Sequence, residues 1–293
     1  MKAAGTRYVV YGSRASELTL WNIACIHEGN IGCEHNRLYR LVNCIKDSGS
    51  DLFFGGGDWG EAIDVTDKRY DGKSADMTAD ELSEVGQAQC DRLVKIFGPV
   101  SNQCFGAMEG NHEYKYFLKN KYRIIKAVAK GLGVPFLGYS AFFDIVFIRN
   151  PKFARRHPLR FYDEPPVSAD GGRTAVRIMA HHGASSARTM GAQVSFLERL
   201  ALRYHADVVF AAHAHNLHVL PIVELGADRS CKNLQEKTKW ALMSGSYLKT
   251  FAEGDGAGYG ERAAYAPAFL GSVGITIRPA TREMKPELPW MGF

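Results

Sequence analysis

The 293-residue chain has no run of about 18 or more apolar residues, so a membrane-spanning helix is not expected. Its six cysteines, at positions 25, 33, 44, 90, 104 and 231, make no Cys-x-x-Cys pair and no zinc-finger spacing. The opening Met1 to Tyr11 carries Lys2 and Arg7 but lacks an apolar core followed by a small-residue cleavage site, so no secretory signal is expected. The thiols are therefore read as reduced, in a cytoplasmic protein, and not as a disulfide framework. No internal repeat or low-complexity tract is visible, which excludes a solenoid. Charge of one sign is also scarce: the net charge of +5 is compatible with a polyanionic substrate but demands none. A hydrophobic share of 46% and a charged share of 23% are ordinary for a soluble globular protein. The length suits one large α/β domain over residues 1–293, with insertions near 62–78 and 150–172.

What is present converges on one stretch, Phe105 to Glu113. It reads as a short apolar strand that stops at Gly110 and then presents Asn111, His112 and Glu113 in succession. An amide, an imidazole and a carboxylate at a strand end must each be hydrogen-bonded or coordinated if buried. Four other predicted strands end in comparable groups. Leu18 to Ile26 leads to Cys25 and His27, and Asp51 to Gly57 leads to Asp58 with Glu61 beyond. Thr174 to Ala180 leads to His181 and His182, and Asp207 to Ala212 leads to His213 and His215. Five such strands describe a site along one edge of an α/β sheet, where these folds place ligands. A mixture of Asp, Asn and His suits a pair of divalent transition-metal ions.

In this order the blocks Cys25-Ile26-His27, Gly57-Asp58-Trp59-Gly60-Glu61, Gly110-Asn111-His112-Glu113, His181-His182-Gly183 and Ala212-His213-Ala214-His215 resemble the calcineurin-like metallophosphoesterases, the phage and bacterial members above all. The resemblance spans about residues 20 to 218. It implies a four-layer αββα sandwich, two mixed sheets flanked by helices. It also implies a hydrolase of phosphoric esters that uses two divalent ions, Mn, Zn or Fe. Carried over by position, Cys25, His27, Asp58 and His215 would hold the first ion, and Asp58, Asn111, His181 and His213 the second. His112 would assist the leaving group, with Glu113 fixing its orientation, while His182 would only line the pocket. Two such ions bind the phosphate oxygens and lower the pKa of a bridging water.

The chain departs from the family pattern at two places. Cys25 stands where the family has Asp, and Ala212 where it has Gly. Ala212 is tolerable if the backbone there needs no positive φ. Cys25 is either a thiolate ligand, which would favour Zn or Fe over Mn, or a buried thiol that has left the metal.

Elsewhere, Arg7 to Tyr11 and Leu18 to Ile26 read as neighbouring strands. Asn36 reads as the cap of a helix with Leu38, Leu41, Val42 and Ile45 on one face. The polar stretch from Asp64 to Asp76 reads as an insertion beside the site, followed by a capping box at Thr78 to Glu81. Lys115 to Lys130 reads as one basic helix ended by Gly131. Lys152, Arg155, Arg156, His157 and Arg160 form the densest basic patch, beside Phe153 and Phe161; placed near the metals, it would contact DNA or RNA by charge and stacking. Gly183 to Gly191, rich in small and hydroxyl residues, fits a loop lining a phosphate site, and the tail after Pro279 reads as surface. The activity classes in play are a phosphodiesterase, with nucleic acid among its substrates; a phosphomonoesterase or protein phosphatase; and a non-catalytic binding protein with a decayed site. Retention of His112, which is no ligand in this scheme, argues against the last.

Overall fold

In the computed structural model, residues 1–184, 189–228, 230–251, 259–262 and 264–288 are described. The strands are β1 (Lys2–Tyr11), β2 (Leu18–Ile23), β3 (Asp51–Gly56), β4 (Cys104–Met108), β5 (Phe136–Gly138), β6 (Ser140–Arg149), β7 (Arg173–His181), β8 (Val208–Ala211), β9 (His218–Ala227), β10 (Leu234–Met243), β11 (Val273–Arg278) and β12 (Glu283–Glu287). The helices are α1 (His35–Ser48), α2 (Ala79–Ser83), α3 (Val85–Phe97), α4 (Asn111–Asn120), α5 (Ile124–Leu132), α6 (Pro151–Ala154), α7 (Met190–Arg203) and α8 (Tyr259–Arg262).

The strands form two six-stranded mixed sheets. The first runs β1-β6-β7-β8-β10-β9 and the second β12-β11-β2-β3-β4-β5. Phe54, Phe105, Phe143, Phe147 and Phe210 fill the space between them. Helices α1, α3 and α5 cover the outer face of the second sheet, with Leu38, Leu93, Phe97 and Ile125 on Phe53 and Trp59. Helix α7 covers the first, with Leu197 and Ala201 on Met179 and Val209. The result is an α/β fold of four layers, αββα. Strands β2, β3 and β4 are buried on both faces, which is why they read as unbroken apolar runs.

Strands β2, β3 and β4 are parallel neighbours, as are β7 and β8. Their carboxyl ends therefore lie together, and the site spans the shared edge of the two expected sheets. Strands β1 and β2 are not neighbours either: β1 pairs with β6 and β2 with β3, in different sheets. Helix α1 starts at His35, one residue before the expected cap Asn36. The capping box at Thr78 and Glu81 is present, opening the short helix α2. The expected single helix over 115–130 is two, because Lys121 takes a left-handed φ of 59° after α4 and Gly133 closes α5.

The basic patch lies at the far end of the molecule from these strand ends. Helix α6 follows the distal end of β6, and the Phe161 N–H donates to the carbonyl of Asn102, just before β4 begins. Phe161 is buried in the core and Phe153 stacks on His157, 4.1 Å between centroids. Neither ring is free to receive a base beside the strand ends. Of the expected phosphate loop, residues 185–188 lie outside the described residues, as do Pro289 and Trp290 of the tail.

Candidate metal centre

The strand ends deliver their groups on unusual backbone. Ten described non-glycine residues have positive φ, and five of them are Cys25 (52°), His27 (57°), Asp58 (52°), His213 (74°) and His215 (57°). Such conformations cost of the order of 1–3 kcal/mol each and persist where surrounding structure enforces them, which is commonly at functional sites. Ala212 is not among them, so the family's glycine is not needed there. Glycine is needed at 110: a Cβ there would meet the Asp58 Oδ1 at 2.1 Å and its backbone nitrogen at 2.5 Å.

Two sets of donors converge. Cys25, His27 and His215 offer ligand atoms within 4.8 Å of one another, and so do Asp58, His182 and His213. The Nε2 atoms of His27 and His215 lie 3.2 Å apart. One proton at most fits between them, so at least one buried lone pair is directed at whatever sits there. In the second set, His182 Nε2 is 3.0 Å from Asp58 Oδ2 and 3.2 Å from Asn111 Oδ1. Cys25 is fully buried, and burial followed by the charge of Asp58 pushes its thiol well up. Its sulfur thus lies among nitrogen and oxygen donors that suit Zn or Fe.

His181, the expected ligand, is not the histidine that reaches Asp58. Its Nδ1 accepts the Gly183 N–H at 2.8 Å and its ring packs edge-on to Tyr139. The reason is strand parity. Val176, Ile178 and Ala180 face the inter-sheet core, while Met179 faces α7. His182 continues the first series and His181 the second. His182 is 0% exposed, and its Nδ1 donates to the carbonyl of Gly56 at 2.8 Å, which leaves Nε2 for the site.

Glu113 does not touch His112. Its carboxylate accepts the N–H groups of Asp58 (3.1 Å), Gly60 (2.9 Å) and Gly110 (2.8 Å), clamping the loop after β3 to the start of α4. Burial, then the charge of Asp58, raises the Glu113 pKa. Orientation of His112 falls to Glu61, whose backbone carbonyl accepts from Nδ1 at 2.7 Å. The Glu61 side chain also bonds His27 Nδ1 at 2.7 Å and accepts from Asn30 at 3.1 Å. Burial opposes charge on His27, but the Glu61 hydrogen bond and charge outweigh it and raise its pKa. Burial likewise works against the Asp58 carboxylate, and the facing charges of His182 and His112 carry its pKa well below the usual value. Burial and then the charge of His182 lower His213 to about 4, and burial and then His27 lower His215. Both are held neutral, the ligating form of imidazole.

Trp59 anchors the loop from beneath: its Nε1 donates to the Ile23 carbonyl at 2.8 Å and its ring stacks on Phe97 at 4.2 Å. His112 is half-buried, with 17% of its side chain exposed, and so are Asn111, His213 and His215.

No protein-family model matches the chain, and no curated protein does. Among solved structures it is similar to GAP50, the anchor in the inner membrane complex of Plasmodium, at 9% identity over 89% of this chain and 81% of that one, with a TM-score of 0.43. It is also similar to a single-mutant form of Vps29 from Entamoeba histolytica, at 9% identity over 92% and 98% of the two chains, with a TM-score of 0.24.

Proposed function

We propose that the protein is a metal-dependent phosphoesterase whose donors hold two divalent ions, the reading implied by its likeness to the calcineurin-like metallophosphoesterases. The observation that carries this reading is the pair of donor sets, Cys25/His27/His215 and Asp58/His182/His213, on strand ends with left-handed backbone. Asp58, with two carboxylate oxygens and three facing histidines, is the group that would serve both ions; Asn111 would complete the second set. Bound divalent ions of this kind neutralise phosphate charge and supply a nucleophile at neutral pH.

The chain's own residues do the rest. A phosphoester's leaving oxygen needs a proton or a positive charge as its bond to phosphorus breaks. His112 meets that need. Its Nδ1–H is committed to the Glu61 carbonyl, so Nε2 is the nitrogen free to face a substrate. Glu61 holds His27 with its carboxylate and His112 with its carbonyl, fixing one ligand and the candidate acid together. Glu113 keeps the loop of Asp58 against α4, so that Asp58 presents its carboxylate under His112, whose N–H it accepts at 2.9 Å.

The test is turnover of a chromogenic phosphodiester and the matching monoester by protein loaded in turn with Mn, Zn and Fe. Faster diester cleavage is expected. Absence of turnover with every metal, in protein holding two ions per chain, overturns the enzyme reading.

A further inference from the structure

Among the described residues two further groups of metal-competent side chains converge; one, His27, Glu61 and His112, shares His27 with the first set, and the other stands apart. Glu28, Cys33 and His35 each offer a ligand atom, and the three atoms lie within 4.8 Å of one another. Glu28 and Cys33 are buried, at 2% and 8% exposure, while 31% of the His35 side chain opens to solvent. Ligands 2.0–2.3 Å from a tetrahedral zinc stand roughly 3.3–3.8 Å apart, so small side-chain rotations suffice to close the set.

The loop is already folded around this point. The Asn30 N–H donates to the His27 carbonyl at 3.0 Å and the Cys33 N–H to the Asn30 carbonyl at 2.9 Å, while Asn30 Oδ1 accepts the Gly32 N–H at 2.8 Å. Tyr39 stacks on the His35 ring, 6.1 Å between centroids, and limits its orientation.

Charge points the same way. Glu28 Oε2 bonds His35 Nε2 at 2.8 Å, and its Oε1 accepts from Arg92 at 3.1 Å. Arg92 is shared: it also binds Glu81 at 2.9 Å and lies 3.6 Å from the Asp76 carboxylate. Arg92 and His35 together face three carboxylates, so even with His35 protonated one negative charge is left over, and a buried carboxylate in such a surplus is a place for a cation. Sulfur, imidazole nitrogen and carboxylate oxygen together select a zinc-class ion over a magnesium-class one.

We propose that Glu28, Cys33 and His35 form a third metal site, for zinc or a similar divalent ion, with its open position toward solvent beside His35. Binding releases the Cys33 thiol proton to solvent and replaces the hydrogen bond between His35 and Glu28. The site lies directly behind the other two sets. The Glu28 N–H donates to the Trp59 carbonyl at 2.8 Å and the Glu28 carbonyl accepts the Glu61 N–H at 2.9 Å. An ion here pins Glu28 to Cys33 and to His35 at the start of α1, and so steadies the residue that these two backbone bonds join to the loop of Asp58 and Glu61.

The experiment uses the full chain, with zinc per chain counted by elemental analysis and thiolate bonds read from the charge-transfer absorption of the cadmium-loaded protein. Cys33→Ser and His35→Ala are each expected to hold one zinc fewer than the parent while keeping its circular dichroism. His35 sits on the rim, so its variant tests the site even if Cys33→Ser folds poorly. In Cys25→Ser, which removes the other nearby thiol, the cadmium band is expected to persist, and to vanish in Cys25→Ser/Cys33→Ser. An unchanged zinc count in His35→Ala, or no band in Cys25→Ser, overturns the proposal. A band in Cys25→Ser, where the parent protein shows no phosphoesterase turnover with any metal, would uphold this site while the reading of the centre in front of it failed.

Discussion

The two ends of β8 carry charged groups in opposite states of balance. At its start, Asp207 is 4% exposed and accepts from Lys237 at 2.9 Å, Arg282 at 3.0 Å and the Arg177 N–H at 2.9 Å. Nearby, Lys239 Nζ binds Glu224 at 2.6 Å and two carbonyls, and Arg177 binds Asp144 through two hydrogen bonds. Every acid there has a base. Beyond the other end, His213 and His215 join His27, His182, Asp58 and Cys25, where burial and then the charges of His182 and His27 lower the pKa values of His213 and His215 respectively. Buried polar groups at one end satisfy themselves; at the other they are left pointing at a common space. That difference, and not burial or charge alone, is what marks a site.

Metal removal should separate the two ends most sharply. Chelation is expected to abolish phosphoester turnover, with recovery on adding Mn, Zn or Fe. The contribution of Asp207 at the other end, bound by Lys237, Arg282 and the Arg177 N–H, should stay in place. Recovery by none of the metals would break the comparison.

Next in size, His112→Ala is expected to lower turnover about 10²–10⁴-fold. Metal content should be unchanged, since the His112 Nδ1 is committed to the Glu61 carbonyl and the proposed ions rest on the other two donor sets. Ion loss in parallel with activity would make His112 a ligand.

Asp207→Asn tests the saturated end and should cost about 1–3 kcal/mol by urea denaturation, the range for a hydrogen-bonded charged group. Metal content and turnover should not move. The same variant carries a pH signature. Burial disfavours the Asp207 carboxylate, but the Arg177 N–H and Lys237 outweigh it and lower its folded pKa. Its contribution is therefore fully present above the unfolded value of about 3.9 and is lost as pH falls through the lower folded value. Asp207→Asn should be the less stable protein at neutral pH, with the gap to wild type closing in acid.

The smallest effect is expected from Cys25→Asp, a shift of preference among Zn, Fe and Mn toward Mn with ion number kept. Elemental analysis after exposure to equimolar metals reads this directly; an unchanged preference would mean that the thiol is no ligand.

Much of this architecture is visible in the chain. Apolar runs such as Leu18 to Ile23 and Leu52 to Phe54 mark strands buried on both faces, and polar groups stand just past their ends. Local spacing hides other features. Whether β1 and β2 pair is a tertiary matter, since both are short apolar segments separated by a turn. The basic segment at 152–160 has the composition of a nucleic-acid contact, but β6 carries it to the opposite end from the strand ends. Parity within β7 was readable, because Val176, Ile178, Ala180 and His182 form one period-two series, and it selects His182 over His181.

The sequence by itself determined which residue types stand at which strand ends, because apolar runs and the polar groups that stop them are encoded locally. Only the tertiary structure decided which of them meet. Glu113 binds three amides instead of His112 because the loop after Asp58 folds back onto α4. Glu61 reaches His112 across 51 positions and His27 across 34 because β3 lies between β2 and β4 as a parallel neighbour of both. Arg92 reaches Glu28 from a helix 64 positions away. Such contacts arise from sheet order and helix packing, in which distance along the chain has no part.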